Sequence, residues 1–295
     1  MGSFYRRLAA SFRLLRFDRP GTGLADRDVY DFTLERQLEY LQTVIVASGE
    51  EQVALLGRSF SGPLAIAYAV AHPERVSHLV LFGSAPRFVS APDYPEGLSQ
   101  ALVDAVAKLV AAEWGLGSRT AADIMLPGLR EDQLSWYSQY QLSSSSAEVA
   151  VEIIAQHTRW DVRNLLPRVR VPTLVLHRRD DRTVALAAAR NMAAEIPGSR
   201  LKILEGQANL PFYEDATSVL TELESFLSPA ASRLSLREQE VLQHLEGGHS
   251  NRTIAAALSI SENTVARHLA NIFLKLEVGS RTAAIRRGRT LGLLK

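Results

Sequence analysis

Two apolar periodicities divide the chain. Short apolar runs at residues 13–17, 53–56, 78–82, 173–176 and 201–204 have the length of buried strands. Helical patterns separate them, as at 33–47 and 63–71. Strands alternating with helices predict an α/β fold with a mostly parallel sheet. The stretch 95–169 is helical with no strand candidate, and predicts a helical lid over the sheet edge. The small-residue linker Ser228-Pro229-Ala230-Ala231-Ser232 marks a boundary, giving domains 1–228 and 229–295.

Behind the linker the pattern is purely helical, a small all-α unit of four helices. Ser235 and Glu238 form a capping box ahead of Leu236, Val241, Leu242 and Leu245. Gly247-Gly248 ends that helix, and Ser250 caps a short one carrying Ile254, Ala255 and Leu258. Ser261 caps a third, with Val265, Leu269, Ile272 and Leu276 on one face, and Ser280 opens the last towards Leu291. Only residues 258–261 separate the second and third helices, a joint tight enough for a helix-turn-helix. The other edge of the third helix carries Asn263, Arg267, Ala270, Asn271 and Lys275. Small residues beside Arg and Asn suit base edges in a major groove, and Lys suits phosphate.

Charge sharpens this picture. The net charge of +1 averages a tail from 229 onward with ten basic and five acidic residues and a remainder with 23 and 27. A basic tail fits phosphate neutralisation, although a solvated basic face has the same composition. The absence of Cys excludes disulfides, a thiolate nucleophile and Cys-based metal sites, and agrees with a cytoplasmic location. No apolar run reaches membrane-spanning length, and no metal-ligand cluster or phosphate-binding loop is present.

The stretches Leu234–Leu242, Gly248–Ala255, Ile260–Leu276 and Val278–Ala284, ending Gly292-Leu-Leu, resemble the LuxR-type DNA-binding domain. The resemblance implies recognition through the third helix and dimerisation through the fourth. By position, Thr264, Arg267, Asn271 and Lys275 are the implied DNA-facing residues beside Asn263, with Asn251, Arg252 and Arg281 at the backbone. Ala266 departs from a position where many members carry Lys.

In the first domain, Gly57-Arg58-Ser59-Phe60-Ser61-Gly62 sits between a strand and a helix, the context of a nucleophile elbow. Together with 18–23, 71–76 and 171–177 it resembles the α/β-hydrolase family, over about residues 4–227. That family implies Ser59 as nucleophile and Asp181 as the triad acid. The implied His position is Asn209, which cannot accept a proton near neutral pH. His157, in the lid, is the remaining candidate for a stand-in base. The resemblance also implies three strands and an oxyanion loop ahead of residue 4, including the strand between 13–17 and 53–56. Either an upstream segment completes the sheet, the favoured expectation, or the sheet closes up.

These readings predict a DNA-binding transcriptional regulator with a non-catalytic, hydrolase-like sensor domain. The alternatives are an esterase-type serine hydrolase fused to a DNA-binding domain, and an inert scaffold that sets dimer geometry. Expected partners are double-stranded DNA, a second copy of the chain, a small apolar ligand and RNA polymerase, with no membrane, cofactor or metal.

Overall fold

The structure, a computed structural model, describes residues 2–227, 234–276, 278–291 and 293–294. The chain forms two compact units. One comprises Met1–Phe4 with Phe12–Val219, the other Tyr5–Ser11 with Leu220–Lys295. The linker predicted at 228–232 lies outside the described residues, as does the side chain of Leu236.

The elements of the larger unit run α1 (Gly2–Ser11), α2 (Leu34–Ala47), β1 (Val53–Arg58), α3 (Gly62–Ala71), β2 (Val76–Phe82), the lid helices α4 (Gln100–Ala112), α5 (Trp114–Met125), α6 (Glu131–Ser144) and α7 (Ala147–His157), then β3 (Thr173–Arg178), α8 (Leu186–Glu195), β4 (Arg200–Leu204) and α9 (Ala216–Leu227). The division between units falls inside α1 and α9. All strand pairs are parallel, in the order β1-β2-β3-β4. Leu79 pairs with Leu55 on one side and Thr173 on the other. The inner strand β3 is buried along its whole length, which explains its unbroken apolar run Leu174-Val175-Leu176. Helix α3 is also apolar almost all round, because it packs inside the unit behind β1.

One predicted strand is absent. Residues 13–17 adopt no regular structure, and Leu14, Leu15 and Phe17 are exposed. A strand exists through its ladder of hydrogen bonds, and among the described residues β1 pairs only with β2. An apolar run without a strand beside it has no ladder to join. Nor does the sheet close up onto this segment.

The smaller unit contains α10 (Leu236–Glu246), α11 (Asn251–Leu258), α12 (Glu262–Leu276) and α13 (Arg281–Thr290). Ser235, Ser250 and Ser280 cap their helices as the pattern predicts, and Ser261 Oγ accepts from Thr264 N at 3.1 Å. Helix α11 stops at Ser259, whose φ of 54° is left-handed. Ile260 N then donates back to Ala255 O at 3.0 Å, turning the chain sharply into α12. Val241, Leu245, Ile254, Val265, Leu269 and Ile272 make one core. Truncating any of the larger ones to Ala costs about 2–5 kcal/mol.

Candidate functional site

The sharp turn after β1 places Ser59 at φ 48°, a left-handed conformation that a non-glycine residue holds only under surrounding constraint. The constraint is visible. Ser61, at a position where glycine is usual, donates its Oγ proton to Arg58 O and accepts from Arg58 N, both at 2.8 Å. Ser84 Oγ donates to Ser59 O at 2.8 Å. A side chain at Gly57 would bring a Cβ to 2.9 Å from Ala65 and Gly62. Ser59 is 3% exposed, and its Oγ has no hydrogen-bond partner among the described residues.

Asp181 and Asn209 meet as a triad acid and base would. Asp181 Oδ1 accepts from the backbone N–H of Thr183 at 2.8 Å and of Val184 at 3.1 Å. Asp181 Oδ2 accepts from Asn209 Nδ2 at 2.5 Å. The same Nδ2 donates its second proton to Gly83 O at 2.9 Å. Both neighbours are acceptors, so the amide nitrogen must face them. Both donors of Asn209 are thereby consumed, and its buried Oδ1 is left without a partner. Gly83 permits the approach: at φ 50°, a Cβ there would stand 2.5 Å from Asn209 Nδ2. The backbone of Asn209 is tied at both ends, its N–H to Met125 O and its carbonyl to Arg58 Nη1, each at 2.9 Å. Glu214 holds the preceding loop through the N–H groups of Gln207 and Ala208.

Burial pushes the Asp181 carboxyl up, against the opposing pull of Asn209, His177 and the two backbone donors. Burial likewise pushes the neighbouring His177 down, with its Nε2 3.0 Å from Val184 O. His157 sits well below the usual imidazole range, first through burial and then through the charge of Arg19. Its Nε2 lies 3.2 Å from Arg19 Nη1, and its ring packs on Trp160 and Phe60. A nitrogen whose lone pair faces a guanidinium is a poor proton acceptor, so His157 is no ready substitute for the missing base. Arg19 is itself pushed down to about 10, by burial and then by Arg58, and stays charged at neutral pH.

Under the lid lies a cavity of about 400 Å³, with apolar walls that include Leu102, Val106, Ile124, Met125, Ile153 and Ile154. Phe60, Thr183 and His157 border it, whereas Ser59, Asp181 and Asn209 do not line it. Its polar lining includes Gln141 and Ser145 from the lid and Thr183 from the loop after β3, which the sequence pattern did not single out, because isolated polar residues carry no motif.

On α12 the side chains of Asn263, Arg267 and Asn271 are exposed and make no hydrogen bond to the described residues, and the same holds for the side chain of Arg252 on α11. The other predicted DNA-facing residues are engaged. Thr264 shares a 2.8 Å hydrogen bond with Ser261 in the cap. Lys275 Nζ donates to Glu238 Oε2 at 2.6 Å, and Glu238 has a side chain only 4% exposed. Arg281 donates to Asn251 Oδ1 at 2.8 Å and to His249 O at 2.7 Å, bracing the start of α11. Leu274, 78% exposed, extends the outer edge that holds Arg267 and Asn271. Its helical spacing of seven from Arg267 was the available signal. Among the described residues no three His, Asp or Glu side chains converge to hold a metal, and no helix is long and apolar enough to cross a membrane.

Comparison with known proteins agrees with both halves. The model of the alpha/beta hydrolase family matches residues 1–222, and that of bacterial regulatory proteins of the luxR family matches residues 232–287. The AB hydrolase superfamily protein YisY of Bacillus subtilis is 28% identical over 225 residues, covering 73% of this chain and 81% of its own. The pimeloyl-[acyl-carrier protein] methyl ester esterase of Nitrosomonas europaea is 29% identical over 213 residues, covering 70% and 81%. Among solved structures, an esterase from Exiguobacterium antarcticum superposes with a TM-score of 0.66 at 25% identity, over 70% of this chain and 78% of its own. The chain belongs to the alpha/beta hydrolase family and carries, as its C-terminal part, a DNA-binding domain of the luxR family of bacterial regulatory proteins.

Proposed function

We propose that the protein is a cytoplasmic transcriptional regulator whose hydrolase-like domain binds a small apolar ligand without turning it over. One observation carries this reading: Asn209 occupies the base position with both amide protons committed to Asp181 and Gly83. Its free Oδ1 can accept a hydrogen bond from a hydroxyl but cannot take the proton, so Ser59 remains an alcohol. The lid cavity, walled mainly by aliphatic side chains, supplies the ligand space. For ligand binding to act on DNA affinity it must favour one of two states of the protein.

On DNA, the exposed Arg267 and Asn271 of α12 read bases while Arg252 meets phosphate. The protein binds as a homodimer through α13, on a pseudo-palindrome with half-sites one helical turn apart, and works with RNA polymerase. The second reading, a serine hydrolase fused to a regulator, is favoured by the strained elbow at Ser59 and by relatives named as esterases. A serine-directed phosphonate separates the two. The sensor reading expects no labelling of Ser59 beyond that of a Ser59→Ala control. Stoichiometric labelling, with turnover of a p-nitrophenyl ester lost in that control, establishes the hydrolase.

A further inference from the structure

A cation drawn out of water needs a counter-charge, and three arginines of the larger unit have one. Arg87 and Arg163 share the Asp161 carboxylate, each at 2.8 Å, and the fully buried Arg178 has Glu214 at 3.4 Å. Arg19 and Arg58 depart from this. Both are half-buried, and neither has a carboxylate partner among the described residues. Each guanidinium makes one hydrogen bond, to a neutral acceptor. Arg19 Nη1 donates to His157 Nε2 at 3.2 Å, and Arg58 Nη1 donates to Asn209 O at 2.9 Å. The two stand close enough to repel, since the charge of Arg58 adds to burial in lowering Arg19. Both backbones are held in place. Thr22 donates to Arg19 O through its N–H at 2.9 Å and its Oγ1 at 2.8 Å. Ser61 Oγ clasps the N–H and carbonyl of Arg58, both at 2.8 Å. Phe60, two residues beyond Arg58, stacks on the same His157 that Arg19 touches.

We propose that Arg19 and Arg58 form a paired site beside Ser59 for an oxyanion, the carboxylate or phosphate group of a small ligand. The class follows from the charges and the forks. One hydrogen bond to a neutral acceptor leaves the remaining N–H donors of each guanidinium unspent, and a planar fork fits either oxyanion with two parallel bonds. An anion between two cations replaces one repulsion by two attractions, in surroundings where water screens weakly. His157 cannot supply that charge. Its lone pair already faces Arg19, and an imidazole is neutral or positive. Neither arginine lines the lid cavity, so the site is distinct from the space given above to an apolar ligand. It also does not depend on whether Ser59 reacts, so phosphonate labelling of Ser59 bears on the sensor reading and leaves this pair untouched.

The test follows the two guanidinium groups themselves, because exposed cations of the smaller unit such as Arg252 and Arg267 also attract anions. The full chain, carrying isotope-labelled arginine, is titrated with inorganic phosphate and with acetate at constant ionic strength, and the Nε–H resonances are read by NMR. Arg19→Gln, Arg58→Gln and Arg267→Ala assign the signals. Arg19 and Arg58 are expected to shift together and to saturate with one shared dissociation constant, and the anion that binds more tightly names the group. Arg267 is expected to drift without saturating. In Arg19→Gln the affinity read at Arg58 is expected to fall about tenfold or more, the loss that goes with one charge-assisted hydrogen bond. Arg19→Lys is expected to recover part of that loss, since it returns the charge without the fork. Arg58→Gln should give the reciprocal loss at Arg19. If that variant fails to fold because Asn209 O has lost its donor, Arg19→Gln decides alone, since it leaves that bond intact. Drift at Arg19 and Arg58 that never saturates shows an adventitious ion only and overturns the proposal. Unequal constants at the two residues, or undiminished affinity at Arg58 in Arg19→Gln, overturn it as well.

Discussion

The Ser59–Asp181–Asn209 centre and the outer edge of α12 use polar side chains in opposite ways. In the first, the decisive amide is fully buried and both its donors are spent on fixed acceptors, Asp181 Oδ2 and Gly83 O. In the second, Asn263, Arg267 and Asn271 stand in solvent with their donors uncommitted. Buried and saturated groups specify a conformation and are expensive to disturb. Exposed and unpaired groups cost little to display and gain their partners on binding. The comparison teaches that one site locks its polar groups into the fold, while the other leaves them open to an incoming partner.

The sharpest way to break that contrast is to restore the base. Asn209→His places an imidazole where Asp181 can orient it. A general base contributes about 10²–10⁴-fold. Phosphonate labelling of Ser59 is therefore expected to rise by about 100-fold or more over the native chain, measured by intact mass against time. If the native chain reacts as fast as the variant, Ser59 already has a base and the contrast fails.

Next in size is the reading edge. Arg267→Ala is expected to weaken specific DNA binding by about 1–3 kcal/mol and to relax preference at one base position. Selection of bound sequences from random DNA, run on native and variant chains, measures both. Equal losses on specific and random duplexes place Arg267 at phosphate.

Much of this was legible in the residues. The caps Ser235, Ser250 and Ser280 and the apolar stripe of α12 follow from local rules, and local rules are what periodicity reports. Strand–turn–helix context around Ser59 was equally local, and its left-handed φ agrees with an elbow. Two things were not legible. The run at 13–17 has strand composition but no strand beside it, and pairing is a property of neighbours distant in sequence. Lys275 sits at the spacing of the DNA edge, yet its amine bonds Glu238, 37 positions away. A helical wheel places a side chain on a face and says nothing of the carboxylate that captures it.

Lys275 supplies the third prediction. Its amine and the Ser235 N–H both bond Glu238 Oε2 at 2.6 Å. Burial raises the Glu238 carboxyl, but these hydrogen bonds outweigh it and the net direction is down. A carboxylate held below its unfolded value stabilises the fold above about pH 4.3, and this stabilisation disappears as pH falls through the folded value. Lys275→Ala strips the buried carboxylate of its cation and is expected to cost about 2 kcal/mol of stability near neutral pH. Denaturant unfolding at pH 7 and in acid should show the penalty shrinking in acid, as Glu238 takes up a proton. An equal penalty at both values assigns the effect to the lysine stem and not to the ion pair.

The smallest effect separates a residue that meets DNA from one that builds the surface. Arg252 is exposed and free, so Arg252→Ala should leave unfolding unchanged and weaken specific and random DNA alike, by a few-fold at moderate salt. Removing one cation from a phosphate makes the slope of log K against log salt shallower by about 0.9. Lys275→Ala should leave that slope unaltered once the protein is folded, because its charge is already spent on Glu238. Titrating both variants from low to high salt gives two lines to compare with the native one. A slope that becomes shallower for Lys275→Ala and holds for Arg252→Ala reverses the assignment, and would mean that DNA draws Lys275 away from Glu238 while Arg252 stays in solvent.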